Sequence, residues 1–392
     1  MRLPIIQSLL DTDLYKLTQA QVVFHDFHDA HVEYEFINRN QTPFPKGFDT
    51  ELKAHILNLS LTRMSADEYS YLGTLDLFRP TWLEWFKNYS FRPDEVEIKQ
   101  NEVGQLSIKI RGPWYRVIFW EVPLMAIISE LYFKMTGQRR CFNWTEIIVD
   151  KAKLMSDEGV KWIDFGTRRR FSLEVQDMVV CIMKNYNGFV GTSNPMLAMK
   201  YNVPVKGTMA HEFVMGMQAK CSPQLSNRMA MNHWYAFYKG KLDIVLPDTL
   251  TTDFFLKGND SVAPFGLYDM SRFSGIRQDS GDPEEWMDNK VIPHYTMWNS
   301  KPQTVVFSDS LDPQKAIHLS KKYGNYTNVI CGIGTNLSND VGCQALNMVI
   351  KLTKVQFKGM PMIDVVKLSD AKGKYTGNSD KVIEIKKKLG IE

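Results

Sequence analysis

A mixed α/β fold is predicted by three observations. Seven short apolar runs each close on small polar or charged residues, helical patterning fills the gaps between them, and the two ends of the chain carry alternating, strand-like segments. The runs are Trp162–Arg168, Phe189–Ser193, Pro204–His211, Ile244–Thr249, Gly275–Asp282, Thr304–Ser310 and Asn328–Thr335. Strand-then-helix repetition implies parallel strands. Seven such units can close into an irregular TIM-like α/β barrel, in which polar residues at the strand ends share one face.

The outer regions read differently. A helix is expected from about Leu14, a strand over His31–Ile37, an aromatic helix around Trp82–Phe86, and strands over Glu95–Lys99 and Leu106–Ile110. Further strands over Asn347–Thr353 and Met362–Leu368 precede a charged helix over Asp380–Leu389. The expected organisation is an α+β domain over 1–125, completed by 346–392, and a barrel-like catalytic domain over 126–345.

Composition narrows the function classes. With 44% hydrophobic and 23% charged residues in 392, the chain is globular and long enough for two or three domains. Lys plus Arg (47) nearly balances Asp plus Glu (44), so bulk charge gives no attraction to nucleic acid or membrane. The five cysteines form neither a C-x-x-C pair nor a zinc-like cluster. The most apolar stretch, Trp114–Phe133, contains Arg116, Glu121 and Glu130, which argues against a membrane span. With no apolar run of secretory length at the N-terminus, a reducing cytoplasm is expected.

Taken in order, the strand ends carry the chemistry. Phe165-Gly-Thr-Arg168-Arg-Arg170 offers an aromatic face and a guanidinium to an anionic aromatic substrate; the plainer alternative is a basic surface patch. His211, just past a glycine turn and followed by Glu212, is a candidate nucleophile for a phosphoryl group, since no G-x-S-x-G supports a hydrolase triad. Arg277-Gln-Asp279-Ser280-Gly281-Asp282 mixes a guanidinium, carboxylates and a tight turn suited to a phosphorylated sugar. Ser308-Asp309-Ser310-Leu-Asp312 offers hydroxyls and carboxylates for a diol or magnesium, or merely caps a helix. Gly332-Ile-Gly334-Thr335 reads as a phosphate cradle.

Together with Asp11-Thr-Asp13-Leu-Tyr15-Lys16 and Gly191-Thr-Ser193-Asn194, these motifs resemble, in order and spacing, the compact bacterial and fungal form of the nicotinate phosphoribosyltransferase family. The resemblance implies a type II phosphoribosyltransferase fold and transfer of a phosphoribosyl group from 5-phosphoribosyl-1-pyrophosphate to nicotinate. It also implies coupling to ATP through a phosphohistidine at His211, with Mg2+ whose protein ligands remain unassigned. By the same resemblance Phe165 stacks on the pyridine ring and Arg168 lies beside its carboxylate. Tyr15 covers the other face from a neighbouring subunit, so a homodimer with shared sites is expected. Arg277, Asp279, Ser280, Gly281, Ser308 and Asp309 are expected at the phosphoribosyl group, Gly332, Gly334 and Thr335 at its 5-phosphate, and Arg39 at a phosphate across the dimer. The nicotinamide-using relative carries aspartate where this chain has Ser193, and a carboxylate there would repel nicotinate. The competing readings are a phosphoribosyltransferase for another pyridine and a catalytically silent ligand-binding protein. No nucleic-acid or membrane partner is expected.

Overall fold

The computed structural model describes residues 4–207, 209–258 and 270–391. Thr208, inside the Gly207–Glu212 motif, and 259–265, part of a segment that registers poorly against the family, lie outside the described residues. The chain divides into two compact units: Met1–His28, Glu33–Gly207 and Ile333–Lys351 form the first, and Asp29–Val32, Thr208–Gly332 and Leu352–Glu392 the second. These boundaries differ from the lines drawn at 125 and 345. The physical reason is the helix Glu121–Met135, which runs unbroken through 125 and is buried over most of its length, so no break in packing occurs there.

All seven apolar runs bring extended backbone into parallel pairing. In the first unit β4 (Trp162–Asp164) pairs with β5 (Phe189–Thr192), Val205 adds a parallel bridge to Thr192, and the Phe165 N–H donates to the Ile333 carbonyl at 2.8 Å. In the second unit β6 (Ile244–Val245), β7 (Gly275–Gln278), β8 (Thr304–Phe307) and β9 (Asn328–Ile333) lie side by side, each parallel to the next. Their central residues, Val245, Ile276, Val305, Val306 and Val329, are buried, as strands covered on both faces require. The expected α/β class with parallel strands is therefore the class the chain adopts.

The outer elements also follow the sequence pattern. Helix Leu14–Asp26, strand β1 (His31–Asn38), helix Pro80–Lys87, the antiparallel pair β2 (Val96–Gln100) and β3 (Leu106–Pro113), and β10 (Met348–Gln356) all form. The expected strand over Met362–Leu368 shortens to β11 (Ile363–Asp364), antiparallel to β10, with one further bridge from Lys367 to Thr376. Aromatic packing anchors the first unit, where Trp82, Trp114, Trp120 and Trp162 are fully buried and Trp82 stacks on Phe86 at 4.8 Å. In the second unit Leu250, Phe254, Val366 and Leu368 pack against Val382, Ile385 and Leu389 of the C-terminal helix Ser379–Leu389. Fully burying each such side chain stabilises the fold by about 1.5–3 kcal/mol.

Candidate active site

Two polar clusters form at strand ends, one in each unit. In the first, Asp13 precedes helix Leu14–Asp26 at the N-cap position, yet its side chain does not cap the helix. The Ser193 carbonyl caps it instead, accepting from the Leu14 N–H at 2.8 Å, while the Ser193 hydroxyl donates to Asp13 Oδ1 at 2.7 Å. Asp13 Oδ2 lies 3.4 Å from Arg168 Nε, and Glu121 Oε1 lies 3.7 Å from Arg168 Nη1. The guanidinium carbon stands 5.7 Å from the centre of the Tyr15 ring of the same chain, whereas the resemblance has Tyr15 reaching the pocket from a neighbouring subunit. Lys16 is fully buried and pairs with Glu121 at 2.6 Å. Burial pushes the Asp13 carboxyl up, against the pull of Arg168 and of hydrogen bonds from Ser193 and Thr167. Burial acts the same way on Glu121, but Lys16, Lys351 and Arg168 outweigh it and lower that group to about 2.

The three arginines after β4 have different fates. Arg170 is fully buried in a bidentate pair with Asp11, at 2.6 and 2.7 Å, so the strand end is not a basic surface patch. Arg168 keeps a half-buried guanidinium beside aromatic and acidic neighbours, and Arg169 is likewise half-buried. Asp164, at the end of β4, fastens the turn by accepting from the Gly166 N–H, Gln176 and Thr192 at 2.8–2.9 Å. Gly191, at φ 133°, runs so close to the Pro204 carbonyl that an added Cβ would sit 2.0 Å from its oxygen. Phe165 is half-buried, and Gly334 passes its carbonyl, with 3.4 Å between that oxygen and an added Cβ; Thr335 then opens a short helical turn. Arg39 is exposed just after β1.

The Ser193 hydroxyl is committed to Asp13, which brings a carboxyl to position 193 despite the serine. Any anion beside Ser193 would therefore meet both Asp13 and Arg168.

The second cluster gathers at the ends of β6, β7 and β8. His211 opens helix His211–Lys220, behind Ala210, which offers no side-chain cap. Its Nε2 lies 2.7 Å from Asp248 Oδ1 and 3.7 Å from Asp279 Oδ2. Asp248 Oδ2 receives the Ser280 hydroxyl at 2.5 Å and the Lys367 ammonium at 2.9 Å. Arg277 donates from Nη2 to Asp279 Oδ1 at 2.6 Å and from Nε to Ser308 Oγ at 2.8 Å. Ser280 is nearly inaccessible and also accepts from the Asp370 N–H at 3.0 Å, which makes it a connector inside the cluster. Gly281, at φ 80°, passes so close to Asp370 that an added Cβ would sit 3.3 Å from the Asp370 Cβ. Asp309 is met by Lys374 at 3.4 Å, and Gly332 is buried in β9. Asp282 and Asp312 prove to be helix caps, accepting from the N–H groups of Glu284 and Glu285 and of Lys315.

Burial pushes the His211 imidazole down, aided by Lys367 and opposed by Asp248 and Asp279. Burial thus favours the neutral imidazole, whose Nε2–H can donate to Asp248. Burial would raise the Asp248 and Asp279 carboxyls, but His211, Lys367 and the Ser280 hydroxyl hold Asp248, and Arg277, His211 and Lys367 hold Asp279, well below the usual carboxylate range.

His211, Asp248 and Asp279 also have ligand atoms within 4.8 Å of one another, a metal-like spacing. The donor set does not fit magnesium: that ion prefers an octahedron of oxygens, whereas these carboxylates are already met by Lys367 and Arg277. Sequence reasoning assigned no role to Asp13, Glu121, Asp248 or Lys367. Asp248 did carry a signal, since it ends the Ile244–Thr249 run as the other candidates end theirs. Lys367 carried only its place between Val366 and Leu368 in a strand-like segment.

Residues 10–129 match the nicotinate phosphoribosyltransferase N-terminal domain, and residues 160–392 match the nicotinate phosphoribosyltransferase (NAPRTase) family. A nicotinate phosphoribosyltransferase from Desulforapulum autotrophicum is 42% identical over 387 residues, covering 96% of this chain and 97% of that protein. A crystal structure of the Porphyromonas gingivalis nicotinate phosphoribosyltransferase superposes with a TM-score of 0.94 at 36% identity, covering 99% of this chain and 100% of that one. The Vibrio cholerae nicotinate phosphoribosyltransferase structure gives 0.90 at 31% identity over 99% and 94%. With both parts of the family pattern matched and nearly every residue aligned, this chain belongs to the nicotinate phosphoribosyltransferase family.

Proposed function

We propose that the protein transfers the phosphoribosyl group of 5-phosphoribosyl-1-pyrophosphate to nicotinate, giving nicotinate mononucleotide and pyrophosphate, and couples this to conversion of ATP into ADP and phosphate. This is the first step of NAD salvage from nicotinate. The observation that carries the coupled part is the His211–Asp248 contact of 2.7 Å at the start of helix His211–Lys220. Asp248 fixes the tautomer, so Nδ1 attacks the γ-phosphorus while the bond to the ADP oxygen breaks, and water later hydrolyses the phosphohistidine. The helix N-terminus favours the negative charge that the phosphoryl group brings.

In the transfer step the bond from C1 to pyrophosphate opens as the pyridine nitrogen approaches, leaving an oxocarbenium-like sugar. Arg277, oriented by Asp279 and Ser308, supplies fixed positive charge at the phosphoribosyl group. Arg168 takes the nicotinate carboxylate, with Tyr15 and Phe165 as aromatic walls. Gly332, Gly334 and Thr335 are assigned to the 5-phosphate. Magnesium enters as the counter-ion of the diphosphate and of ATP. The reading includes a homodimer, in which Arg39 serves the partner's phosphate, and a cytoplasmic setting. The five unpaired cysteines agree with the latter, and among the described residues no helix is long and apolar enough to cross a membrane.

The test is incorporation of the γ-phosphate of ATP, with the modified residue mapped. Acid-labile label on His211 is expected. His211→Ala should lose the label and the ADP release that depends on nicotinate and 5-phosphoribosyl-1-pyrophosphate, yet keep some uncoupled transfer. Undiminished ADP release in that variant would refute the assignment, and parallel assays with nicotinate, nicotinamide and quinolinate decide the pyridine.

A further inference from the structure

The segment after β11 meets the ends of three strands of its unit: the Lys367 ammonium lies on Asp248 after β6, the Asp370 backbone N–H donates to Ser280 Oγ after β7, and the Lys374 ammonium reaches Asp309 after β8. Its placement follows from the two-residue period of extended backbone. Val366 and Leu368 pack into the apolar cluster with the C-terminal helix, so Lys367 between them must face the other way. Backbone hydrogen bonds lock that register: Leu368 donates to the Thr249 carbonyl at 2.7 Å, and Lys367 and Thr376 exchange a pair at 3.0 and 3.1 Å. The outcome is an ammonium whose side chain is only 10% exposed, 2.9 Å from a carboxylate that is 1% exposed.

We propose that Lys367 is a positioning residue for His211: by neutralising Asp248 it keeps that carboxylate a hydrogen-bond acceptor, so that the imidazole stays uncharged and nucleophilic. The inference rests on the phosphohistidine reading and deepens it. The charged groups acting on the imidazole are Asp248, Lys367 and Asp279, the last met by Arg277 of β7, while Glu212 follows His211 on its own helix. With His211 neutral, Asp248 and Asp279 are balanced by Lys367 and Arg277. In a desolvated cluster such balance selects the protonation state, because an uncompensated buried charge is costly. Without Lys367 the balance is restored by placing a proton on His211, which removes its nucleophilic lone pair. The downward shift of the His211 imidazole agrees with this arrangement.

The test reads the imidazole directly, by NMR titration of carbon-labelled histidine in the full-length protein, with His211 assigned from the His211→Asn spectrum. In Lys367→Met and Lys367→Gln the titration midpoint of His211 should rise by about one pH unit or more. Lys367→Arg, which keeps the charge, should return it toward the wild-type value. The acid limb of γ-phosphate incorporation should move with the midpoint. An unchanged or lowered midpoint in Met and Gln variants that keep the wild-type fold overturns the proposal, as does an arginine variant that titrates like methionine. Because the midpoint is measured without ATP, a wild-type protein that takes up no phosphate refutes the proposed function and leaves the Lys367 result standing on its own.

Discussion

The Arg168 and His211 clusters contain the same kinds of groups and handle charge in opposite ways. Around His211 both carboxylates are held well below their usual range, Asp248 by His211 and by Lys367 at 2.9 Å, and Asp279 by Arg277 at 2.6 Å with His211 and Lys367 nearby. Around Arg168 the acidic neighbours diverge: Glu121 is lowered to about 2 while Asp13 is raised. In the His211 cluster each carboxylate has a close cation, an arrangement that would suit the proposed phosphoryl chemistry. The other contains Asp13, whose carboxyl burial raises against the pull of Arg168 at 3.4 Å. Similar composition therefore does not imply similar function; what differs is whether each buried carboxylate owns a close cation.

Removing a fixed charge should have the largest effect. Asp248→Ala strands the Lys367 ammonium in a nearly closed site, and urea unfolding should show a loss of about 3–5 kcal/mol, the usual cost of breaking a buried pair. A loss below about 1 kcal/mol would erase the contrast between the clusters. Arg168→Ala should act on binding instead. Its guanidinium is half-buried, so stability should change little, whereas KM for nicotinate should rise about 10- to 100-fold, as for a lost charged hydrogen bond. Equal losses in kcat for nicotinate and for a neutral pyridine would assign Arg168 elsewhere.

The smallest effect is a difference in pH slope. Asp248 is depressed in the folded protein, so its contribution is present above the unfolded value of about 3.9 and is lost as pH falls through the folded value. Asp13 is raised, so its contribution is present below about 3.9 and is lost as pH rises through the folded value. Asp248→Asn should therefore destabilise more at about pH 7 than at about pH 3, and Asp13→Asn less at about pH 7 than at about pH 4. Denaturation of both variants across that range checks the signs, and parallel slopes would remove the distinction.

Much of this was legible in the residues. The seven runs became parallel pairings because strand and helix periods are local properties, and His211, Arg277, Asp279 and Ser308 fall together because strand ends of one parallel set share a side. Charge assignments were less legible. Arg168 and Arg170 are two residues apart in one motif, yet one is half-buried beside Tyr15 and the other is sealed against Asp11. Asp282 and Asp312 looked like ligands and serve as caps, since a carboxylate before a helix suits both tasks.

By itself the sequence determined the α/β class, the parallel strands, the family and the residues that end each strand, because these follow from periodicity and motif spacing along the chain. Only the tertiary structure decided which carboxylate holds His211, which cation meets that carboxylate, and which carboxyl the Ser193 hydroxyl binds. Those partners lie 37 residues apart for His211 and Asp248, and 180 for Ser193 and Asp13. Electrostatic effects depend on separation and burial in space, and the sequence specifies these only through the fold it adopts.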